Sequence, residues 1–322
     1  RSRFRGLTCL AIPETEILDV ALDKQETLSL AASLGVPIAR SMLLDRTSDI
    51  DAALRQLGSP IVLKSRRSLP WRPRAAELPP RRSRNRRSVR YAKDALEAKA
   101  HVARMDLRDG ILAQEFIQGP GVGVEIVAVE GVPILVFQHR RLREFPPYGG
   151  MSTLRESVPV DPELARYAIS LLSALRWTGL AMIEFKSSPE GPRLLEINGR
   201  AWGSLPLAVH SGADFPTVLA ESLLGPPAPK RAPARSARIG VRSRNLQLDV
   251  LWLAWVLAGR RRFPYLPTPS RLSLPSVVIG FLDPRIGLDS FSRDDPGPAL
   301  LDITQCLRMG ARLVRRLLTG RR

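Results

Sequence analysis

The amino-acid sequence predicts an α+β fold with a mostly helical C-terminal extension, and three observations point there. Two pairs of aliphatic and β-branched strands are each joined through a short glycine-containing turn: VGVEIVAVEG with VPILVFQHR, and GLAMIEFK with PRLLEIN. Between the pairs lies DPELARYAISLLSALRW, an amphipathic helix with Leu164, Ala168, Leu171, Leu172 and Leu175 on one face. No segment repeats elsewhere in the chain, which excludes a solenoid.

Taken in order, residues 1–20 give no clear element. From Asp23 the run DKQETLSLAASLG reads as a helix that Asp23 caps and Gly35 ends, with Val36-Pro37 leading away extended. Ser48 to Leu57 is a second helix stopped at Gly58, and PIVLK (60–64) is a strand that delivers Lys64 at its end. Residues 65–90 hold ten Arg and four Pro without periodicity, which predicts a loop. A helix is expected from Asp94 to about Asp106, then a strand over GILAQEFI. The segment 140–160, with Pro146-Pro147 and Gly149-Gly150, reads as irregular, and helices are expected near 205–211 and 215–224. GPPAPKRAPARSAR (225–238) has the composition of a linker. Beyond it, LQLDVLWLAWVLAGRRR is apolar on nearly all sides. PALLDITQCLRMGARLVRRLLTGRR carries Leu300, Ile303 and Leu307 on one side and Arg308, Arg312, Arg315 and Arg316 on the other.

Composition narrows the function classes. The chain has 322 residues, 44% hydrophobic, with a net charge of +18, so it is globular rather than disordered. The charge is uneven: residues 64–90 carry +10 and 230–322 carry +12, while 91–229 carry −3. An excess confined in this way argues against a nucleic-acid partner for the middle of the chain, where the chemistry is expected. Two cysteines, Cys9 and Cys306, and three histidines, His101, His139 and His210, offer no metal-ligand spacing, so any metal is expected on oxygen. The longest apolar run, Val250 to Ala258, is nine residues, and a spanning helix needs roughly 20. With no secretory signal in RSRFRGLTCLAIPE, a cytoplasmic chain is expected. The basic C-terminal helices are candidates for peripheral contact with an anionic membrane or for packing on the rest of the chain.

The last hairpin carries the chemistry. If its turn centres on Glu190, Glu184 and Glu196 are directly opposed. Alternation then puts Glu184 on a face with Leu180 and Met182, and Glu196 on a face with Leu194 and Asn198. Opposed side chains lie about 4.5–5.5 Å apart at Cβ, and like charges so placed are destabilising unless neutralised. A divalent cation neutralises them: Mg²⁺ takes carboxylate oxygens, and Asn198 can add a carbonyl oxygen. The alternative is a pair of glutamates on a solvated hairpin face.

AMIEFK and LLEINGR, together with DKQETLSLAASLGVP, PIVLK and ILAQEFIQGPGVGVEI upstream, resemble the ATP-grasp superfamily over residues 21–225. The likeness is to its biotin-carboxylase, carbamoyl-phosphate-synthase and carboxylate–amine ligase types. It implies two α+β subdomains gripping ATP, divided as 21–113 (an N-terminal part with the lid) and 114–226 (a catalytic subdomain). Residues 1–20 would be the remnant of a preceding domain or linker, and 227–322 a Pro/Arg linker and basic helical extension. By the same resemblance Lys24 and Lys64 contact nucleotide, with Lys64 and Arg200 catalytic. Gln114, Glu115, Phe116 and Ile117 form the adenine hinge. Glu184, Glu196 and Asn198 hold Mg²⁺ or Mn²⁺. The implied activity is an ATP-dependent ligase that forms a C–N bond, activating a small carboxylate as acyl phosphate for attack by an amine. The alternative is an ATP-grasp shell that binds nucleotide, membrane or nucleic acid without ligation.

Two departures from the resemblance stand out. No glycine lies between Gly58 and Gly110, where the superfamily closes a Gly-rich loop over the triphosphate. Arg66, with Arg67, Ser65 and Ser68, is expected to bind phosphate through side chains instead. The ribose-gripping acid is replaced by Gly121, with Glu125 nearby. Arg140, Arg141, Arg143 and Arg155 are candidates for binding an acceptor carboxylate or phosphate.

Overall fold

The computed structural model describes residues 8–45, 49–68, 89–105, 110–224, 237–258, 265–266, 269 and 274–319. They fall into two compact units, one drawn from Arg1–Val136, Val160–Ala201 and Val218–Ala228, the other from Phe137–Pro159, Trp202–Thr217 and Pro229–Arg322.

The first unit holds a small sheet in the order β1 (Ser41–Leu44), β4 (Ile111–Glu115), β2 (Ile61–Ser65), β3 (Arg90–Ala92). Alternation decides its two faces. Ile61, Leu63, Ile111 and Ala113 pack onto α3 (Ile50–Leu57) and α4 (Ala95–Val102) through Ile50, Ala53, Ala98 and Val102. Val62, Lys64, Leu112 and Gln114 therefore face the other way, with Val62 opposite Gln114 and Lys64 opposite Leu112. Gly58 ends α3 at φ +84°, a conformation glycine adopts without a Cβ penalty. β3 falls at the end of the expected loop; residues 69–88 of that stretch lie outside the described residues.

The same unit holds β5 (Gly121–Val129), β8 (Gly179–Ser188) and β9 (Gly191–Asn198), antiparallel with β8 in the centre. Val122, Val124, Ile126 and Ala128 of β5 pack on Leu164, Ala168, Leu171 and Leu172 of α5 (Pro162–Ala174). Asp161 caps α5, accepting from the N–H groups of Glu163 and Leu164. Residues 1–20 give no clear element from sequence, and within them α1 (Thr15–Leu22) begins, whose Ile17 and Leu18 pack into this core. They belong to the first unit. α2 (Lys24–Ser33) follows directly, capped by Asp23 as its sequence implies.

In the second unit, β6 (Val132–Phe145) from Phe137 onward pairs with β7 (Met151–Ser157), which pairs with β10 (Arg242–Arg244), which pairs in parallel with β11 (Ile286–Leu288). The expectation of an irregular 140–160 is thus corrected. These strands lack an apolar alternation because ion pairs satisfy their faces: Glu156 accepts from Arg140 and Arg242, and Arg155, 1% exposed, pairs with Asp289. Asp249 of α8 (Leu246–Leu257) accepts from Arg143 and Thr153. The four arginines expected to bind an acceptor each pair with an acid of the chain: the exposed Arg140 with Glu156, Arg143 with Asp249, Arg155 with Asp289, and Arg141 with Glu144, Arg141 also donating to the Gly150 carbonyl. Described residues of the expected extension at 227–322 supply part of this unit. β10 completes the β7 sheet, α8 lies on β7, and Gln247 of α8 bonds Asp302 and Gln305 of α10 (Gly297–Thr319). The unit also contains α6 (Leu205–Ser211) and α9 (Leu274–Phe281). Among the described residues, no helix is long and apolar enough to cross a membrane.

Candidate functional site

The site lies within the first unit and is built on β8 and β9. Glu184 stands directly opposite Glu196, and Met182 opposite Asn198. The register then shifts, Phe185 facing Leu194, so Leu195 is an extra residue on β9. This bulge corrects one expectation. Leu194 does not share a face with Glu196 but turns into the core with Phe185, both fully buried. The other face is left to Glu184, which is 9% exposed, and to Glu196 and Asn198. Asn198 Nδ2 donates to Glu196 Oε1 over 3.3 Å.

Three lysines surround this acidic pair. Lys24, on the first turn of α2, lies 3.8 Å from Glu196 and donates to Ser68 Oγ over 2.9 Å. Its position is fixed by a short ladder, in which the Lys24 N–H donates to the Arg66 carbonyl and the Ser68 N–H to that of Leu22. Lys64 donates to Gln114 Oε1 over 2.8 Å, and Gln114 Nε2 donates to Ser41 Oγ. Burial pushes the Lys64 ammonium below the ordinary lysine value. Glu196 and Glu184 pull it back up, while Lys24 and Lys186 push it further down. Lys186, which the sequence motifs do not single out, is thus part of the cluster. Its signal was the two-residue spacing from Glu184, which puts both on one face of β8.

The other expected residues divide. Glu115 turns away from Gln114 and takes two bonds from Arg40, at 2.8 Å from its N–H and 2.6 Å from Nε. Its own N–H donates to the Arg40 carbonyl, so both its side chain and its amide hold the sheet together. Phe116 stands edge-on to Tyr91 at 5.9 Å, and Phe116 and Ile117 are half-buried. Arg66 is held by carboxylates of α2 and its cap. Its Nε bonds both oxygens of the buried Asp23 at 2.9 Å, and Nη2 bonds Glu26, which holds the guanidinium above its ordinary pKa. Arg67 pairs with Asp19 and Asp23. Arg200 lies exposed just past β9, with Nη1 donating to the Ala201 carbonyl.

A two-carboxylate, one-amide set fits a hard cation that completes its shell with other oxygens. Among the described residues no group of three or more His, Cys, Asp or Glu could hold a metal. Further ligands would therefore come from phosphate or water, which Mg²⁺ accepts readily.

Comparison with solved structures decides the fold. N5-carboxyaminoimidazole synthase of Aspergillus clavatus, in complex with ADP and 5-aminoimidazole ribonucleotide, superposes with a TM-score of 0.57 at 14% identity, over 75% of this chain and 60% of that one. The biotin carboxylase domain of Hydrogenobacter thermophilus 2-oxoglutarate carboxylase, with MgADP, ADP and bicarbonate, gives 0.55 at 15%, over 74% and 52%. D-alanine–D-alanine ligase of Bacillus anthracis, complexed with ATP, gives 0.51 at 16%, over 69% and 73%. The fold is that of the ATP-grasp superfamily. A family model described as "ATP-grasp in the biosynthetic pathway with Ter operon" matches residues 108–245, the span that carries β4, β8 and β9. The uncharacterized protein y4rH of Sinorhizobium fredii is 23% identical over 204 residues, 60% of this chain and 39% of that protein. The chain thus spans well under half the length of that curated relative and between about half and three quarters of these solved ATP-grasp chains.

Proposed function

We propose that this ATP-grasp protein is an ATP- and Mg²⁺-dependent ligase that joins a carboxylate to an amine. The observation that carries the reading is the registered pair Glu184–Glu196 with Asn198 beside it, ringed by Lys24, Lys64 and Lys186. Two carboxylates opposed on one face call for a counter-cation, which a metal-dependent nucleotide reaction uses. Glu184, Glu196 and Asn198 would hold the cation. When bound, Mg²⁺ neutralises charge on the β- and γ-phosphates. Lys24 and Lys64 are placed to contact phosphate as point charges, and Phe116 and Ile117 to present an apolar surface to the base. Arg200, exposed at the end of β9, is free to approach the transferring group.

In the reaction, a carboxylate oxygen of the substrate forms a bond to the γ-phosphorus as the bond to the β-phosphate bridging oxygen breaks, releasing ADP. The amine nitrogen then attacks the acyl carbon and loses a proton, and phosphate departs with the electrons of the C–O bond. Screening pairs of small carboxylates and amines for ADP release tests the reading. ADP release that requires the carboxylate and amine substrates and is lost in Glu196→Gln supports it. Metal-independent nucleotide binding, untouched by that substitution and without turnover, favours a binding module instead.

A further inference from the structure

We propose that Lys186 is a positioning residue of the nucleotide site, fixing the segment after β4 to the strand that carries Glu184; the inference rests on the ATP reading above. Glu184 and Lys186 lie two apart on β8 and project from the same face. Their register partners on β5 are Gly123 and Gly121, so no β5 side chain stands beside either. Lys186 Nζ donates to the Gly119 carbonyl over 2.9 Å, and the next residue's N–H, from Ser187, donates to the Pro120 carbonyl over 3.1 Å. Gly119 is held so tightly, at φ +148°, that a Cβ there would lie 1.8 Å from the Ser187 carbonyl oxygen. Three contacts thus clamp Gly119-Pro120 onto residues 186–187. At its other end this segment continues through Ile117 and Phe116 to Gln114, the partner of Lys64.

A lysine on a solvated strand would leave its ammonium in water. Here the ammonium donates to a main-chain carbonyl, and its charge is also felt at Lys64. The clamp gives β8 a double duty: residue 184 for the cation and residue 186 for the base-holding segment. Nucleotide held at 116–120 and cation held at Glu184 are thereby coupled through two residues of one rigid strand.

The test is calorimetric titration of the whole chain with ATP, with and without Mg²⁺, for the wild type, Lys186→Met and Lys186→Arg. The expected result is that Lys186→Met weakens ATP binding in Mg²⁺ about tenfold, the scale of one charge-assisted hydrogen bond. The affinity gained on adding Mg²⁺ also shrinks, and Lys186→Arg restores most of both. Melting curves of the ligand-free variants provide the folding control, and Lys186→Gln replaces Lys186→Met if the latter does not fold. Unchanged affinity, or a loss equal in the Arg and Met variants that follows a lowered melting temperature, overturns the proposal. Failure of the wild type to bind ATP at all would instead defeat the functional reading, and the inference with it.

Discussion

Lys64 reaches Gln114 across neighbouring strands, its Nζ donating to Oε1 over 2.8 Å, on the sheet face turned away from α3 and α4. The bond satisfies an ammonium that burial disfavours and that two further lysines repel. On the proposed reading this charge serves a phosphate ligand rather than the fold. Lys64→Met keeps the aliphatic stem and removes the charge, while Gln114 keeps its bond to Ser41. Ligand-free stability is expected to be unchanged or to rise by up to about 1 kcal/mol, with ATP affinity falling at least about tenfold. Urea unfolding and ATP titration of the same preparation check both.

The depressed pKa of Lys64 gives opposite slopes to stability and binding. Its folded value lies below the ordinary 10.5, so the unfolded chain binds more protons in the window beneath 10.5. As pH rises through that window, Lys64 therefore adds stability to the ligand-free protein and loses its attraction for phosphate. The difference between wild type and Lys64→Met isolates this group from other titrating residues. Melting temperature and ATP affinity measured from neutral pH to about 10 should show both trends in the difference.

In the second unit, fully buried Asp249 takes bonds from Arg143 at 2.8 Å, Thr153 at 2.9 Å and Arg244 at 3.4 Å. Arg143 also stacks over Trp252 and Arg244 over Phe281. Burial raises the pKa of Asp249 against the pull of these arginines, and burial lowers that of Arg244. Asp249→Asn leaves two buried guanidinium groups without a counter-charge, a loss of about 3–5 kcal/mol. Denaturant unfolding monitored by Trp fluorescence reads it. An effect under about 1 kcal/mol would show that this ion cluster does not hold the unit together.

Gly119→Ala tests the clamp from the other side. The new methyl group would collide with the Ser187 carbonyl, so the backbone must shift. The expected cost is about 1–3 kcal/mol of stability, together with weaker ATP binding. Differential scanning calorimetry and titration provide the readouts.

Much of the first unit was legible because its signals are local. Asp23 and Asp161 announce their helices as caps, Gly35 and Gly58 end theirs, and Pro189 to Gly191 mark the hairpin turn, although its pairing of Ser188 with Gly191 brings Glu184 opposite Glu196 only through the extra residue Leu195. What escaped depends on tertiary partners. The Leu195 bulge leaves no mark in LLEIN, because it is fixed by Leu194 finding the core beside Phe185. β7 was missed because MSTLRES has no apolar stripe, its Arg155 and Glu156 being buried through Asp289, Arg140 and Arg242. Arg66 reads as a phosphate ligand until Asp23, 43 positions earlier, is seen to hold it. Lys186 reads as solvated until Gly119 is brought beside it by the strand order.

On the proposed function, Glu184 and Glu196 hold a cation through which ATP is bound for ligation. The most direct measurement is the dissociation constant of ATP with and without Mg²⁺ for the wild type, Glu184→Gln and Glu196→Gln. The account predicts that Mg²⁺ tightens binding to the wild type by about tenfold or more, and that either substitution removes the gain while leaving a folded protein. Equal affinities with and without Mg²⁺ in the wild type, or an undiminished gain in both variants, would contradict it.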